Sequence, residues 1–336
     1  MLDIKILTAT QTMERTLGFT FYRLFLCFAV SFSFVLATLM GSGIAMMMGS
    51  AVDKMAVWGA SGASIGFVVC GVIVYLARGI WLYKVKARHI ALLVDAVAEK
   101  VLPQGWAQIE YGRQQVGKRF NLSRDLVGLD RQIRQVQIYL LRTCTKLGVQ
   151  IPDIPNGFVA KSIYGVIAVP LTYTDEVILA QCFRGDSNTP WVEARNGVVY
   201  YAQNFGLIWR NALLLFVLTY AGLFCVYLLM LVPVEWVEGI LPIPIGNWKY
   251  VFALVFAWPI KAAIFDPIVI AGLILLFFEK IDGTIPNSDW VNRLNNSSDE
   301  FKEIQRRAEA EQAPIRAGDA KKAPMESSDK ESTNHT

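Results

Sequence analysis

Four stretches of the chain are almost unbroken apolar sequence: Phe21 to about Met48, Val57 to Tyr83, Ala212 to about Val234, and Val251 to Phe278. A helix needs roughly 20 apolar residues to cross a bilayer core of about 30 Å. All four meet that length, and they read as membrane spans. The first is about twice as long as the apolar part of a signal peptide. It also follows twenty residues that include Asp3 and Glu14, so it reads as a retained span. Trp58 and Trp81 bracket the second. At 1.5 Å per residue their separation is roughly 35 Å, which suits two interfacial anchors.

Between the spans the pattern changes. The connections 49–56 and 235–249 are short, and each closes a hairpin. Residues 84–208 are soluble in character and long enough for a domain. Within them, 87–101 fits a helix ended by Pro103, and 123–147 is the clearest helix. There Leu126, Leu129, Ile133, Val136 and Leu140 form an apolar stripe opposite Arg124, Arg131 and Gln135. The stripe predicts helix-on-helix packing, within the domain or against a partner chain. Gly165 and Pro170 break the apolar stretch 158–183, and its longest uncharged part, Ser162 to Thr174, is too short to span. Tyr200, Tyr201, Phe205 and Trp209 predict an interfacial helix leading into the third span. Residues 299–312 predict a charged helix, and 313–336 a disordered end. The fold class is therefore an all-α membrane protein. A cytoplasmic segment 1–20 precedes a hairpin 21–83. A helical cytoplasmic domain 84–208, a second hairpin 209–280 and a charged tail 281–336 follow.

Charge orients this arrangement. Near the span ends, the two short connections carry only Lys54 and Lys249. The other side carries Lys5, Arg15, Arg23, Arg78, Lys84, Lys86, Arg88, Arg195, Arg210, Lys280 and Arg293. The excess predicts cytoplasmic N- and C-termini.

Composition agrees with the pattern. The 336 residues are 54% hydrophobic, with a net charge of +4, and the mean hydropathy is positive. The scattered basic residues give no support for nucleic-acid binding. Five dispersed cysteines and two histidines do not suggest a metal site or a disulfide framework. No phosphate loop, nucleophile elbow or zinc-protease helix is present. "YGRQQVGKRF" lacks the spacing of a phosphate cradle, and its Gly112-Arg113 and Gly117-Lys118 pairs read as a solvated turn. His89, among Lys84, Lys86 and Arg88, suits headgroup contact. Glu235 and Glu238 read as solvated surface. No catalytic role, cofactor or metal is expected.

Two features stand out within the spans. Gly41, Ala45 and Gly49 recur every four residues in the first, as do Gly62 and Gly66 in the second. Small residues so spaced let helix backbones approach closely in lipid. A narrow pore lining is the alternative, and packing is preferred.

The second feature is "AWPIKAAIFDPIVIAG", residues 257–272, which places Lys261 and Asp266 inside the fourth span. A charge at mid-bilayer costs about 2.5–3.5 kcal/mol on insertion scales. On a straight α-helix the five-residue spacing sets the two about 140° apart, on different faces. Pro259 and Pro267 each remove a backbone hydrogen bond, to the carbonyls of Val255 and Ala263. Asp-Pro is also a natural helix start, so Asp266 is expected to cap a new segment, 267–280, after a break. Broken helices in transporters form substrate and ion sites. The structural alternative is a kinked helix whose Lys261 reaches toward the interface while Asp266 caps a half-helix.

The stretch "FAWPIKAAIFDPIVIAGLILLFFEKIDGTIPNSDWVNRL" resembles uncharacterised bacterial inner-membrane proteins. They carry a similar Lys-to-Asp-Pro span and a tail with the equivalents of Pro286 and Trp290. It also resembles, across the C-terminal third, choline transporter-like proteins, whose last span runs into a turn like Asp282-Gly283. The resemblance implies a bacterial inner membrane and no particular substrate.

Two functions remain open. One is a small transporter or channel component with Lys261 and Asp266 on its pathway, in a homo-oligomer or with a membrane partner subunit. The other is a membrane scaffold acting through its cytoplasmic helices. They are separated by whether Asp266 faces a hydrated cavity or a packed core.

Overall fold

The computed structural model describes residues 5–50, 54–120, 123–146, 171–184, 189–240 and 246–314. Every regular element among them is helical. Four helices are long and apolar enough to cross a membrane, in two pairs with helical sequence between the pairs. The protein is a multi-pass helical membrane protein. Its spans are Leu17–Ser50, Met55–Leu76, Phe205–Ile240 and a bent fourth of three joined pieces, Trp248–Ile260, Lys261–Phe265 and Asp266–Ile281. The second ends before Trp81. The chain passes through a short helix, Arg78–Trp81, and a π turn, Leu82–Lys86, and Trp81 packs against the cluster of Phe19, Val85 and Leu92.

The chain divides into two compact units, Met1–Val116 with Arg210–Leu275, and Gly117–Trp209 with Leu276–Thr336. The divisions fall at 116/117, 209/210 and 275/276. Residues 84–116 belong with the spans because their helices pack there. Arg15 donates to the carbonyls of Ala96 and Lys100, at 2.7 Å each, fixing the end of the helix Ala87–Val97. Gln108 takes the backbone N–H of Phe19 at 2.9 Å and donates to the carbonyl of Arg15 at 2.8 Å. "YGRQQVGKRF" is not a turn but the second half of a helix, Ala107–Arg119. Gly112 has a packing reason: a Cβ there would meet Leu92 Cδ1 at 2.9 Å and the Arg88 carbonyl oxygen at 3.1 Å.

The first two spans form the most extensive helix pair of this unit, and glycine makes it close. A Cβ on Gly41 would strike the carbonyl oxygen of Gly62. One on Gly62 would strike the Gly41 oxygen and the Ala45 methyl, and one on Gly66 would strike the Ala37 oxygen. Gly49 lies under the ring of Trp58. The small residues face one another across a helix–helix contact.

In the second unit the stripe of Ser123–Lys146 is consumed internally. Leu126, Leu129, Ile133, Val136 and Leu140 are fully buried, and the helix packs on Leu171–Gln181 and Pro190–Gln203. Arg134 pairs with the buried Asp175 at 2.6 Å. The helix expected at the interface is core on one side, although Tyr200 and Trp209 stay half-buried. Tyr201 and Phe205 are buried, with Tyr201 Oη donating to Thr174 Oγ1 at 3.3 Å, because both rings have helices to pack on. The charged helix spans 299–314, burying Phe301, Ile304 and Ala308. Its Glu311 takes the N–H groups of Trp191 and Val192, at 2.9 and 3.1 Å, and so caps the start of Pro190–Gln203. Burial pushes the Glu311 carboxyl above its ordinary range. The expectations for 147–170 and 315–336 lie outside the described residues.

Candidate functional site

The fourth span is mostly buried, whereas the other three are mostly exposed to their surroundings. Its centre does not break. Ile260, Lys261 and Asp266 all keep right-handed helical angles, with φ between −59° and −65° and ψ between −45° and −51°. Instead the turn Lys261–Phe265 widens into π geometry, and the Asp266 N–H bonds back five residues to the Lys261 carbonyl. The cause is Pro267. Its ring would collide with the carbonyl of Ala263 in a normal turn, and it brings no N–H. A widened turn ahead of it relieves both demands. Asp266 is therefore not the cap of a new segment, and the chain does not reverse.

The widened turn also changes which side chains meet. The i→i+5 bonding of a π turn brings residues five apart close to one face, so Lys261 and Asp266 meet. Lys261 Nζ lies 2.9 Å from Asp266 Oδ1 and 3.2 Å from Oδ2. The ammonium also sits over the rings of Tyr220, at 4.9 Å, and Trp258, at 5.0 Å. Lys261 is only 5% exposed, so it does not reach toward the interface. Span three is admitted to the turn by Gly222, where a Cβ would meet the Phe265 ring at 2.7 Å.

The other proline is answered from across the bundle. Pro259 leaves the carbonyl of Val255 without its helical donor. Ser31 of the first span supplies one, with Oγ donating to the Val255 oxygen at 2.7 Å. Ser31→Ala removes that donor and strands a partly buried carbonyl, an expected loss of about 1 kcal/mol. Denaturation of the purified protein in detergent should show it. Ser33→Ala, whose exposed hydroxyl bonds only to the Ala29 carbonyl of its own helix, is the control and should change little.

Ser31 belongs to a seam not anticipated from the sequence. Thr20, Arg23, Cys27, Ser31 and Thr38 are all buried, at steps of three, four, four and seven. Those steps keep one helical face. Phe21, Phe25, Phe32 and Leu36 point outward and are exposed. From Thr20 to Thr38 the seam runs roughly 27 Å along the helix. This face of the span packs on the fourth, including the π turn. Span three carries buried polar residues of its own, Asn211 and Thr219. The membrane bundle is thus apolar outside and carries a polar line within. The spacing was available in the sequence, but hydroxyls and one arginine do not interrupt a hydropathy run.

At the beginning of the seam lies His89, which is buried rather than in contact with headgroups. Thr16 gives its proton to the Met13 carbonyl, so His89 Nε2–H donates to Thr16 Oγ1 at 3.2 Å. Arg23 Nη1 donates to His89 Nδ1 at 3.2 Å. Burial first, and the Arg23 charge second, hold the imidazole well below its usual pKa. His89 is thus a neutral acceptor for Arg23. Its enclosure follows from the helix Ala87–Val97 burying nearly every residue.

Glu235 and Glu238 both pair with Lys249 near the second hairpin's turn, at 3.4 and 3.5 Å. Among the described residues, no group of His, Cys, Asp and Glu side chains is placed to hold a metal. No family model matches the chain, and neither a curated protein nor a solved structure matches it.

Proposed function

We propose that this protein is a small transporter or channel component whose pathway is the polar seam, with the Lys261–Asp266 pair as its gate. The observation that carries the reading is the inversion of the bundle. Polar residues line the inside of span one for most of a bilayer thickness, and a charge pair lies on the span they face. Packing alone does not require polar groups there, because apolar side chains fill a membrane interior more cheaply. A π turn at the centre supports the same reading, since such turns recur at functional sites. In the closed state each charge neutralises the other. A proton or cation reaching Asp266 competes with Lys261 and frees its ammonium, which opens the turn.

Positive-inside charge supports cytoplasmic termini. The resemblance of residues 256–294 supports a bacterial inner membrane. Four spans enclose little on their own, so a homo-oligomer or a membrane partner subunit completes the pathway. No catalysis is involved.

Asp266→Asn tests the gate. A variant that folds and inserts like the wild type is expected to lose the cellular function and the dissipation of an imposed pH gradient in proteoliposomes. Full cellular function in such a variant would overturn the reading. The enclosure of Lys261 favours a second reading, a non-catalytic membrane scaffold in which the pair only fixes the spans. The buried stripe of Ser123–Lys146 is not available to dock a partner. Under the scaffold reading, Asp266→Asn retains function and a stoichiometric subunit co-purifies.

A further inference from the structure

We infer that Arg23 and Thr20 form a binding site for a phosphate-type oxyanion at the start of the seam. The inference goes beyond the transport reading: it concerns two residues at the start of the seam and not the Lys261–Asp266 gate. Arg23 is 6% exposed, and its guanidinium makes one hydrogen bond, from Nη1 to the neutral His89. The opposite edge, Nε and Nη2, meets no acceptor, and Nε is fully enclosed. Among the described residues no carboxylate forms a salt bridge with Arg23. Lys261 and Asp266 cancel one another, and the buried Asp95 is paired with Lys100 at 2.8 Å, so neither carboxylate balances the Arg23 charge.

Thr20 supplies an independent sign. Ser33, Thr38, Ser61, Ser64 and Thr219 each bond to the carbonyl four residues back in their own spans. Thr20 is equally helical and 3% exposed, yet its hydroxyl bonds to nothing. It lies three residues before Arg23, on the same face of the helix. A buried hydroxyl and a buried guanidinium edge, both unpartnered and on one helical face, are the donor set an oxyanion takes. The Nε–Nη2 edge binds two oxygens of a phosphate in parallel, and the Thr20 hydroxyl donates to one of them. His89 cannot compete as a ligand, since its Nδ1 is already held by Nη1 and serves to aim the free edge.

Such a phosphate comes either from a phospholipid headgroup or from a free solute, and the test separates them. The purified full chain in detergent is titrated with inorganic phosphate at constant ionic strength, and separately with phosphatidylglycerol in mixed micelles, following the thermal midpoint. A phosphate-dependent rise assigns a solute site, and a rise with phosphatidylglycerol alone a lipid site. In either case Thr20→Val should weaken the apparent affinity about tenfold or more, the loss of a hydrogen bond to a charged group. Arg23→Gln should abolish the response, and Arg23→Lys should not restore it. Thr20→Val keeps the shape of the side chain, so the test stands even if Arg23→Gln does not fold. No rise in the wild type with either probe, or a rise undiminished in Thr20→Val, would overturn the site. Neither result bears on Asp266→Asn, which reads the gate separately.

Discussion

Lys261→Met or Asp266→Leu alone should destabilise the protein by about 3–5 kcal/mol, and the two together should recover most of that loss. The asymmetry follows from where the charges sit. Together they offset one another across 2.9 Å, inside a turn packed against two other spans. Removing one leaves the other enclosed without its counter-charge. Removing both replaces two desolvated ions with apolar side chains of similar length, and membrane interiors accept those readily. Thermal unfolding of the three variants in one detergent measures the cycle. An additive double variant would mean that the pair is not a pair in solution. The same cycle sharpens the functional reading. A stable double variant without transport places the charges on the pathway, whereas a stable and active one leaves them a structural role.

The second large effect belongs to the first hairpin. Gly62→Val should cost about 1–3 kcal/mol or more, because the new side chain would have to displace backbone. At Gly62 the obstacles are the Gly41 carbonyl and the Ala45 methyl, neither of which can rotate away. Gly43 lies in the partner helix, the first span, but is exposed, with nothing within 4 Å of an added Cβ. Gly43→Val should therefore leave the thermal midpoint nearly unchanged. If Gly62→Val and Gly43→Val behave alike, the close crossing does not hold the hairpin together.

These two regions also show what the sequence disclosed and what it did not. The four spans were legible because hydropathy and length are properties of the chain alone. The Gly41–Gly62 crossing was legible too, since four-residue spacing of small side chains has one dominant use in lipid. The Lys261–Asp266 contact was not. An α-helix sets five-apart residues on different faces, and only the π turn forced by Pro267 aligns them. Whether a proline breaks, bends or widens a helix depends on what packs around it, here Gly222 of another span. His89 was misread for a related reason. Its basic neighbours suggested the interface, but burial of the helix Ala87–Val97 is a tertiary event. The polar seam is present in the spacing, but average hydropathy does not register which face the hydroxyls share.

The hydrogen bond from Ser31 to the Val255 carbonyl joins positions 224 residues apart. Chains grow at about 5–20 residues per second, so the two are separated by roughly 10–45 s of synthesis. Throughout that interval the first span has reached the membrane with Arg23, Ser31 and the rest of its polar face but without the fourth span they turn toward. A newly made first hairpin is thus an incomplete object whose inner face must be sheltered from lipid until the last span arrives. A chain truncated after the third span should remain exposed to membrane quality control, however well its first hairpin packs.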